Sequence, residues 1–224
     1  MTAAGREARV AALLLTGGAS RRMGADKAAI TVDGEQLATR LARLLQAVAT
    51  PVLEVGPGRT SCAVVVEPMP GSGPLSAIAA GHAALVECGR EVPTIVCACD
   101  LPFVTVELLA LIAGRPGERS VLPVVDGRSQ PLLARWSVAD MRAAAPLVAT
   151  GVRSLRSLPS RADAELLDRR LWLGVATPET FADLDSPGDL ARLGLPPLGH
   201  ARCGGAGDAR SRPTARRLRP DSER

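Results

Sequence analysis

The sequence predicts an α/β fold in three layers, with a mostly parallel sheet between two layers of helices and a hairpin inserted late in the chain. Three observations carry this. Residues 10–15 and 94–99 are almost unbroken apolar runs, as strands buried on both faces require. Stretches of helical periodicity separate such runs from one another. Asp126-Gly127 between two β-rich segments is a strong hairpin signal.

Composition sets the limits. The 224 residues suit one domain with a tail, and 46% hydrophobic content is enough for a sizeable core. Aromatics are only 2%, with no Tyr, so Ala, Val, Leu and Ile must build that core. The net charge of +4 lies wholly in residues 201–224, where seven Arg outnumber Asp208, Asp221 and Glu223. The balanced body argues against a nucleic-acid face. Cys62, Cys88, Cys97, Cys99 and Cys203 are odd in number, and Cys97 and Cys99 point the same way on a strand. Reduced thiols, no leader-like start and no membrane-length apolar run together imply a cytoplasmic protein away from membranes.

The elements follow in order. Residues 10–15 form the first strand and run into a loop over 16–27. Residues 28–32 are extended and turned by Asp33-Gly34, and 35–49 form a helix with Leu37, Leu41, Leu44, Leu45 and Val48 on one face. Residues 52–55 and 62–66 are strands, and 67–74 are loop. A helix over 75–88 leads to the strand at 94–99, then a helix at about 105–113. Segments 121–125 and 131–136 pair as strands. Helices cover 137–148 and 152–158, and residues 163–177 hold one or two short strands. Residues 181–185 are extended, and Ser186-Pro187 starts a last helix. Residues 1–197 are thus the domain, and 198–224 read as a disordered, Arg-rich tail.

In such sheets ligands bind at the carboxyl ends of the strands. Two strands end in chemistry there. The first ends in Thr16-Gly17-Gly18, followed by Ser20, Arg22, Gly24 and Lys27. Glycines let backbone amides approach phosphate oxygens, Ser20 adds a hydroxyl, and Arg22 and Lys27 add positive charge. The bland alternative is a Gly-rich turn with solvated basic residues, and the spacing matches neither the dinucleotide fingerprint nor the Walker loop. The second ends in Asp100-Leu101-Pro102, a carboxylate suited to Mg²⁺ or to capping the next helix. Gly73-Pro74-Leu75 opens a helix whose amides could hold a polar edge, or is a plain loop-to-helix junction. His82, Trp136 and Trp172 read as core residues, and Arg153 and Arg156 as a solvated face or an anion contact.

Taken together, these motifs resemble the molybdenum cofactor guanylyltransferase family. The resemblance rests on Leu15-Thr16-Gly17-Gly18-Ala19-Ser20-Arg21-Arg22-Met23-Gly24-Ala25-Asp26-Lys27, Gly73-Pro74-Leu75, Cys99-Asp100-Leu101-Pro102-Phe103, Gln130-Pro131-Leu132, Gly151-Val152-Arg153-Ser154-Leu155 and Asp185-Ser186-Pro187-Gly188-Asp189-Leu190. It implies the Rossmann-like sheet of the nucleotidyltransferases. It implies transfer of GMP from GTP to molybdopterin, forming the guanine dinucleotide cofactor and pyrophosphate with Mg²⁺. A molybdoenzyme apoprotein or its chaperone would be the onward partner.

By the same resemblance, Leu15, Thr16, Gly17, Gly18 and Ser20 line the nucleotide, with Glu67, Gly73, Pro74 and Leu75 closing its site. Arg22, Lys27 and Asp100 are the catalytic set. Asp100 is the Mg²⁺ ligand, and Asp185 is either a second one or a helix cap. Three positions depart from the family pattern. Glu67 precedes Pro68 where an Asp is usual, Val55 stands near a usual Asn, and Asp185-Ser186 replaces Asn-Thr. Two other readings stay open: a cytidylyl- or other nucleotidyltransferase acting on a phosphorylated metabolite, and a catalytically silent nucleotide-binding protein.

Overall fold

The computed structural model describes residues 10–17, 30–158 and 163–195. Strand β1 (Ala11–Leu15) is central. It pairs in parallel with β4 (Val52–Val55) on one side and β6 (Thr94–Ala98) on the other. Strand β5 (Ala63–Val65) extends the β4 edge in parallel. Beyond β6 the sheet continues through β9 (Leu133–Trp136), β7 (Val121–Val125) and β10 (Glu165–Leu167). Strand β9 runs antiparallel to β6 and to β7, whereas β10 is parallel to β7.

The continuous apolar run of β1 has a simple physical cause. Alternate residues face opposite cores, so neither face tolerates a polar side chain. Ala12 and Leu14 join a core with α1 (Leu37–Gln46) and α3 (Val106–Gly114). Ala11, Leu13 and Leu15 join a second core with α2 (Pro74–Glu87) and α4 (Val138–Ala149). Trp172 anchors the first core, edge-on to Phe181 at 5.0 Å. Trp136 anchors the second, its indole N–H donating to the Pro131 carbonyl. His82 is half-buried on α2 beside Glu91, 3.7 Å away, and burial lowers its pKa.

Several element boundaries differ from the sequence expectation. The helix expected over 35–49 begins at Leu37, because Asp33 and Gly34 take positive φ (53° and 81°) and turn the chain into a small hairpin. Its strands are β2 (Thr31–Val32) and β3 (Glu35–Gln36). The Asp126-Gly127 turn forms as expected, but it pairs β7 with β8 (Arg128–Ser129). Residues 131–136 cross to lie against β6 and meet β7 only at Val121 opposite Arg135.

Segment 152–158 forms only a 3₁₀ turn, Leu155–Ser157. Residues 163–177 hold one strand, β10, and then helix α5 (Arg169–Trp172), capped by Asp168. Phe181 closes a 3₁₀ turn, Pro178–Phe181, rather than starting an extended stretch. Helix α6 (Pro187–Arg192) starts where expected, with Ser186 and Asp189 forming a reciprocal cap. The tail expected over 198–224 lies outside the described residues. No helix among the described residues is long and apolar enough to cross a membrane.

Close approach of α2 to β1 depends on Gly81. A Cβ there would stand 2.5 Å from a Leu13 methyl and 3.0 Å from one of Val55. Leu13 is fully buried and has little room to move. Gly81→Val should therefore cost about 1–3 kcal/mol through overpacking, read as a lower denaturant midpoint with an unchanged slope.

Candidate active site

The parallel register of β1 and β6 sets Leu15 opposite Ala98, and the Cys99 amide donates to the Leu15 carbonyl at 3.1 Å. Thr16-Gly17 and Asp100 therefore leave the sheet side by side at its carboxyl edge. Asp100 is half-buried there. Its carbonyl accepts the Leu184 amide at 2.9 Å, which brings Asp185, one residue further on, to the same edge. Burial, with the Asp100 charge adding to it, pushes the Cys97 thiol far up, so this cysteine packs and does not react.

Thr16 and Gly17 are held from the β4 side. Both amides donate to the Val55 carbonyl, at 3.0 and 3.2 Å. Gly56 makes this possible: a Cβ there would lie 2.2 Å from the Thr16 hydroxyl and 2.7 Å from the Gly17 nitrogen. The Thr16 hydroxyl points inward and donates to the fully buried Glu54 at 2.6 Å. Glu54 also accepts from the amides of Gly58, Arg59 and Thr60 and from the Thr60 hydroxyl. Burial alone would raise its pKa, but these donors outweigh burial and hold it below the ordinary value. Glu54 and Gly56 are absent from the sequence reading. The available signal was a charged residue inside the apolar run Val52-Leu53-Glu54-Val55.

Glu67 is the opposite case. It is only 8% exposed, and no described group donates to it. Burial therefore raises its pKa with nothing to offset the effect. Its Oε1 lies 2.8 Å from where a Cβ of Gly17 would begin, and Gly17 itself is exposed.

Gly73 takes φ 101°, and a Cβ there would lie 3.4 Å from the Arg153 carbonyl oxygen and 3.6 Å from the Arg153 Cβ. The Gly151–Leu155 motif thus lies against the turn that opens α2, with Arg153 and Arg156 exposed. Pro74 is half-buried beside it. The side chains of Leu15 and Leu75 are buried in the second core, where they serve packing.

The structure accordingly gathers Thr16, Gly17, Glu67, Gly73, Pro74, Asp100 and the Asp185 segment along the carboxyl edge of the sheet. Gly18, Ser20, Arg22 and Lys27 lie outside the described residues. Asp100 and Asp185 offer the hard oxygen donors that Mg²⁺ takes, usually one or two carboxylates with substrate phosphates completing the shell. No group of three or more His, Cys, Asp or Glu able to hold a metal occurs among the described residues.

A mostly parallel sheet between helix layers, with its central strands ending in a glycine turn and a carboxylate, is an α/β architecture that takes ligands at this edge. Comparison with known proteins agrees. The model of the MobA-like NTP transferase domain matches residues 12–165. A molybdenum cofactor guanylyltransferase of Rhodobacter capsulatus is 32% identical over 191 residues, covering 82% of this chain and 94% of that protein. A probable molybdenum cofactor guanylyltransferase of Mycobacterium tuberculosis is 34% identical over 166 residues, covering 69% and 81%. Among solved structures, molybdopterin-guanine dinucleotide biosynthesis protein A of Archaeoglobus fulgidus aligns with a TM-score of 0.66 at 22% identity, over 81% of this chain and 95% of that one. The chain belongs to the MobA-like NTP transferase family and is an enzyme of the nucleotidyltransferase type.

Two outcomes follow from the contrasting glutamates. Thr16→Val removes one hydrogen bond to a buried carboxylate and should cost about 1.5–3 kcal/mol in denaturant unfolding with the fold retained. Glu67→Gln should instead stabilise the ligand-free protein at pH 8, by a few degrees at about 2–4 °C per kcal/mol. The pH dependence gives the sign. As pH rises from the ordinary carboxylate value to the raised one of Glu67, the folded chain still holds a proton that the unfolded chain has lost, so stability falls across that window. The Gln variant lacks this slope, and its advantage should vanish near pH 4 in thermal melts.

Proposed function

We propose that this enzyme transfers GMP from GTP to the terminal phosphate of molybdopterin, releasing pyrophosphate. The observation that carries the reading is the placement of Asp100 beside the Thr16-Gly17 end of β1, in a chain of the MobA-like family. The molybdopterin phosphate is a monoester with a second pKa of about 6, so it is largely dianionic near neutral pH and needs no general base. Its oxygen bonds to the α-phosphorus of GTP as the bond from that phosphorus to the bridging oxygen breaks. The electron pair leaves with pyrophosphate.

What the protein must supply is screening of like charges and stabilisation of the leaving group. Lys27 and Arg22 do this on the triphosphate, with Gly17, Gly18 and Ser20 donating to its oxygens. Asp100, with Asp185 as a second carboxylate, would hold Mg²⁺, which would supply positive charge at the phosphates. Gly73 and Pro74 close the nucleotide side. Arg153, exposed beside that turn, would meet the pterin substrate's anionic group. The enzyme works in the cytoplasm and passes its product to a molybdoenzyme apoprotein or its chaperone.

Pyrophosphate release with molybdopterin and each of the four nucleotides tests this, with the dinucleotide product identified by mass spectrometry. GTP should be preferred, chelation of Mg²⁺ should stop turnover, and Asp100→Ala should lower the rate at least 10²–10³-fold. Faster turnover with CTP would overturn the guanylyl assignment. Nucleotide binding without turnover in the unaltered protein would show a silent homologue.

A further inference from the structure

Strand β4 carries a charged residue where an apolar one would serve the sheet better. Glu54 is fully buried. Its neighbours along the strand are Val52, Leu53 and Val55, and the residues opposite it on β1 and β5 are Leu14 and Val64. Burying a carboxylate in such a row costs more than burying a leucine, and the strand itself gains nothing from it. What the charge serves therefore lies outside the strand, and its hydrogen bonds show where. Oε1 accepts from the Thr16 hydroxyl at 2.6 Å and from the amides of Gly58 and Arg59 at 2.9 and 2.6 Å. Oε2 accepts from the Thr60 amide and hydroxyl, both at 2.8 Å. Every one of these donors lies past the carboxyl end of β1 or of β4.

The consequence falls on Gly17. Its amide and that of Thr16 donate to the Val55 carbonyl, and Gly56 leaves no space for a side chain between the two backbones. With the Thr16 hydroxyl held as well, the Thr16-Gly17 turn is fixed from beneath at three points, while Gly17 is exposed on its outer side. Neither Thr16 nor residues 58–60 can shift without taking a donor from a buried charge. Two segments far apart in the chain thus keep or lose their shape together. A ligand that meets a turn already in its bound shape avoids the cost of ordering it. We propose that Glu54 is a positioning residue of the nucleotide site: it touches no ligand, and through Thr16 and the Gly58–Thr60 donors it preorganises the Thr16-Gly17 turn on which the nucleotide rests. This rests on the reading of that turn as the nucleotide site and goes beyond it by naming the group that holds the turn in shape.

Titration calorimetry with GTP on the full chain, well below each protein's melting temperature, tests the assignment. Glu54→Gln keeps the side chain's shape but turns one acceptor into a donor. Its GTP affinity should fall about 10-fold or more. Thr60→Val removes a single hydroxyl on the side of the carboxylate away from Thr16, and should weaken GTP about 3-fold or more. Thr60→Ser restores that hydroxyl and should recover the affinity. The turn holds the nucleotide alike before and during phosphoryl transfer. In pyrophosphate release the KM for GTP should therefore rise with kcat nearly unchanged, the opposite of Asp100→Ala. Amide hydrogen exchange gives a readout free of activity. GTP should slow exchange at Gly58, Arg59 and Thr60 in the unaltered protein, and the slowing should be lost in Thr16→Val, where the link to the carboxylate is cut.

Unchanged GTP affinity in folded Glu54→Gln and Thr60→Val proteins would overturn the role of Glu54 and leave the nucleotide reading standing. A fall in kcat at constant KM would overturn it too. So would slowed exchange at residues 58–60 that persists in Thr16→Val, because the nucleotide would then lie on that loop itself. Should Glu54→Gln fail to fold, the Thr60 pair decides alone. An unaltered protein that binds no nucleotide would overturn both readings.

Discussion

The hydrogen bond from the Thr16 hydroxyl to the buried Glu54 carboxylate, 2.6 Å long, ties the site to the sheet. It joins the residue that follows β1 to the loop that links β4 and β5. That loop in turn holds its shape through three amides and a hydroxyl on the same carboxylate. A buried charge is stable only where donors surround it, so the loop and Thr16 have one arrangement that satisfies all of them. Gly17 is thereby presented outward at a defined place, and Gly56 supplies the space for the two backbones to meet.

The rest of the edge is assembled around this point by strand order. Strand β6 lies beside β1 and delivers Asp100. The antiparallel β9 then reverses the direction of the chain, and helix α4 carries it back so that the Gly151–Leu155 motif reaches the start of α2. The final segment hydrogen-bonds to the Asp100 backbone through Leu184. A second buried charge does comparable work at the opposite end of β9. The Arg135 guanidinium donates to the carbonyls of Ala113, Arg115, Gly117 and Arg119, closing the loop after α3. Burial lowers its pKa, and those carbonyls accept from both terminal nitrogens, while the buried Nε has no partner among the described residues.

Much of this was legible in the residues. The unbroken apolar run of β1 required burial on both faces. The Ser186-Pro187 start of α6 and the Asp126-Gly127 turn were readable from local chemistry, because caps and tight turns are decided within a few residues. That β9 lies antiparallel beside β7 was readable too, but the β8 arm after the turn and the pairing of β9 with β6 were not. A turn specifies where the chain reverses, but residues 131–136 satisfy their backbone and bury Trp136 better against β6. Likewise Glu35-Gln36 fits a helix by periodicity, yet the positive φ at Asp33 and Gly34 sends it into a hairpin first.

The sequence by itself determined the glycine and carboxylate ends of the central strands and the family to which the chain belongs. Those depend on residue type at fixed spacing along one chain. Tertiary structure decided which of two glutamates the fold itself satisfies. Glu54 and Glu67 are the same residue, each in a stretch that gives no hint of its hydrogen-bond partners. One is surrounded by donors from a loop four to six residues on, and from a strand far away in sequence. The other faces a bare glycine at the edge of the sheet. Solvation and partners set the behaviour of a carboxylate, and both are properties of packing rather than of sequence position.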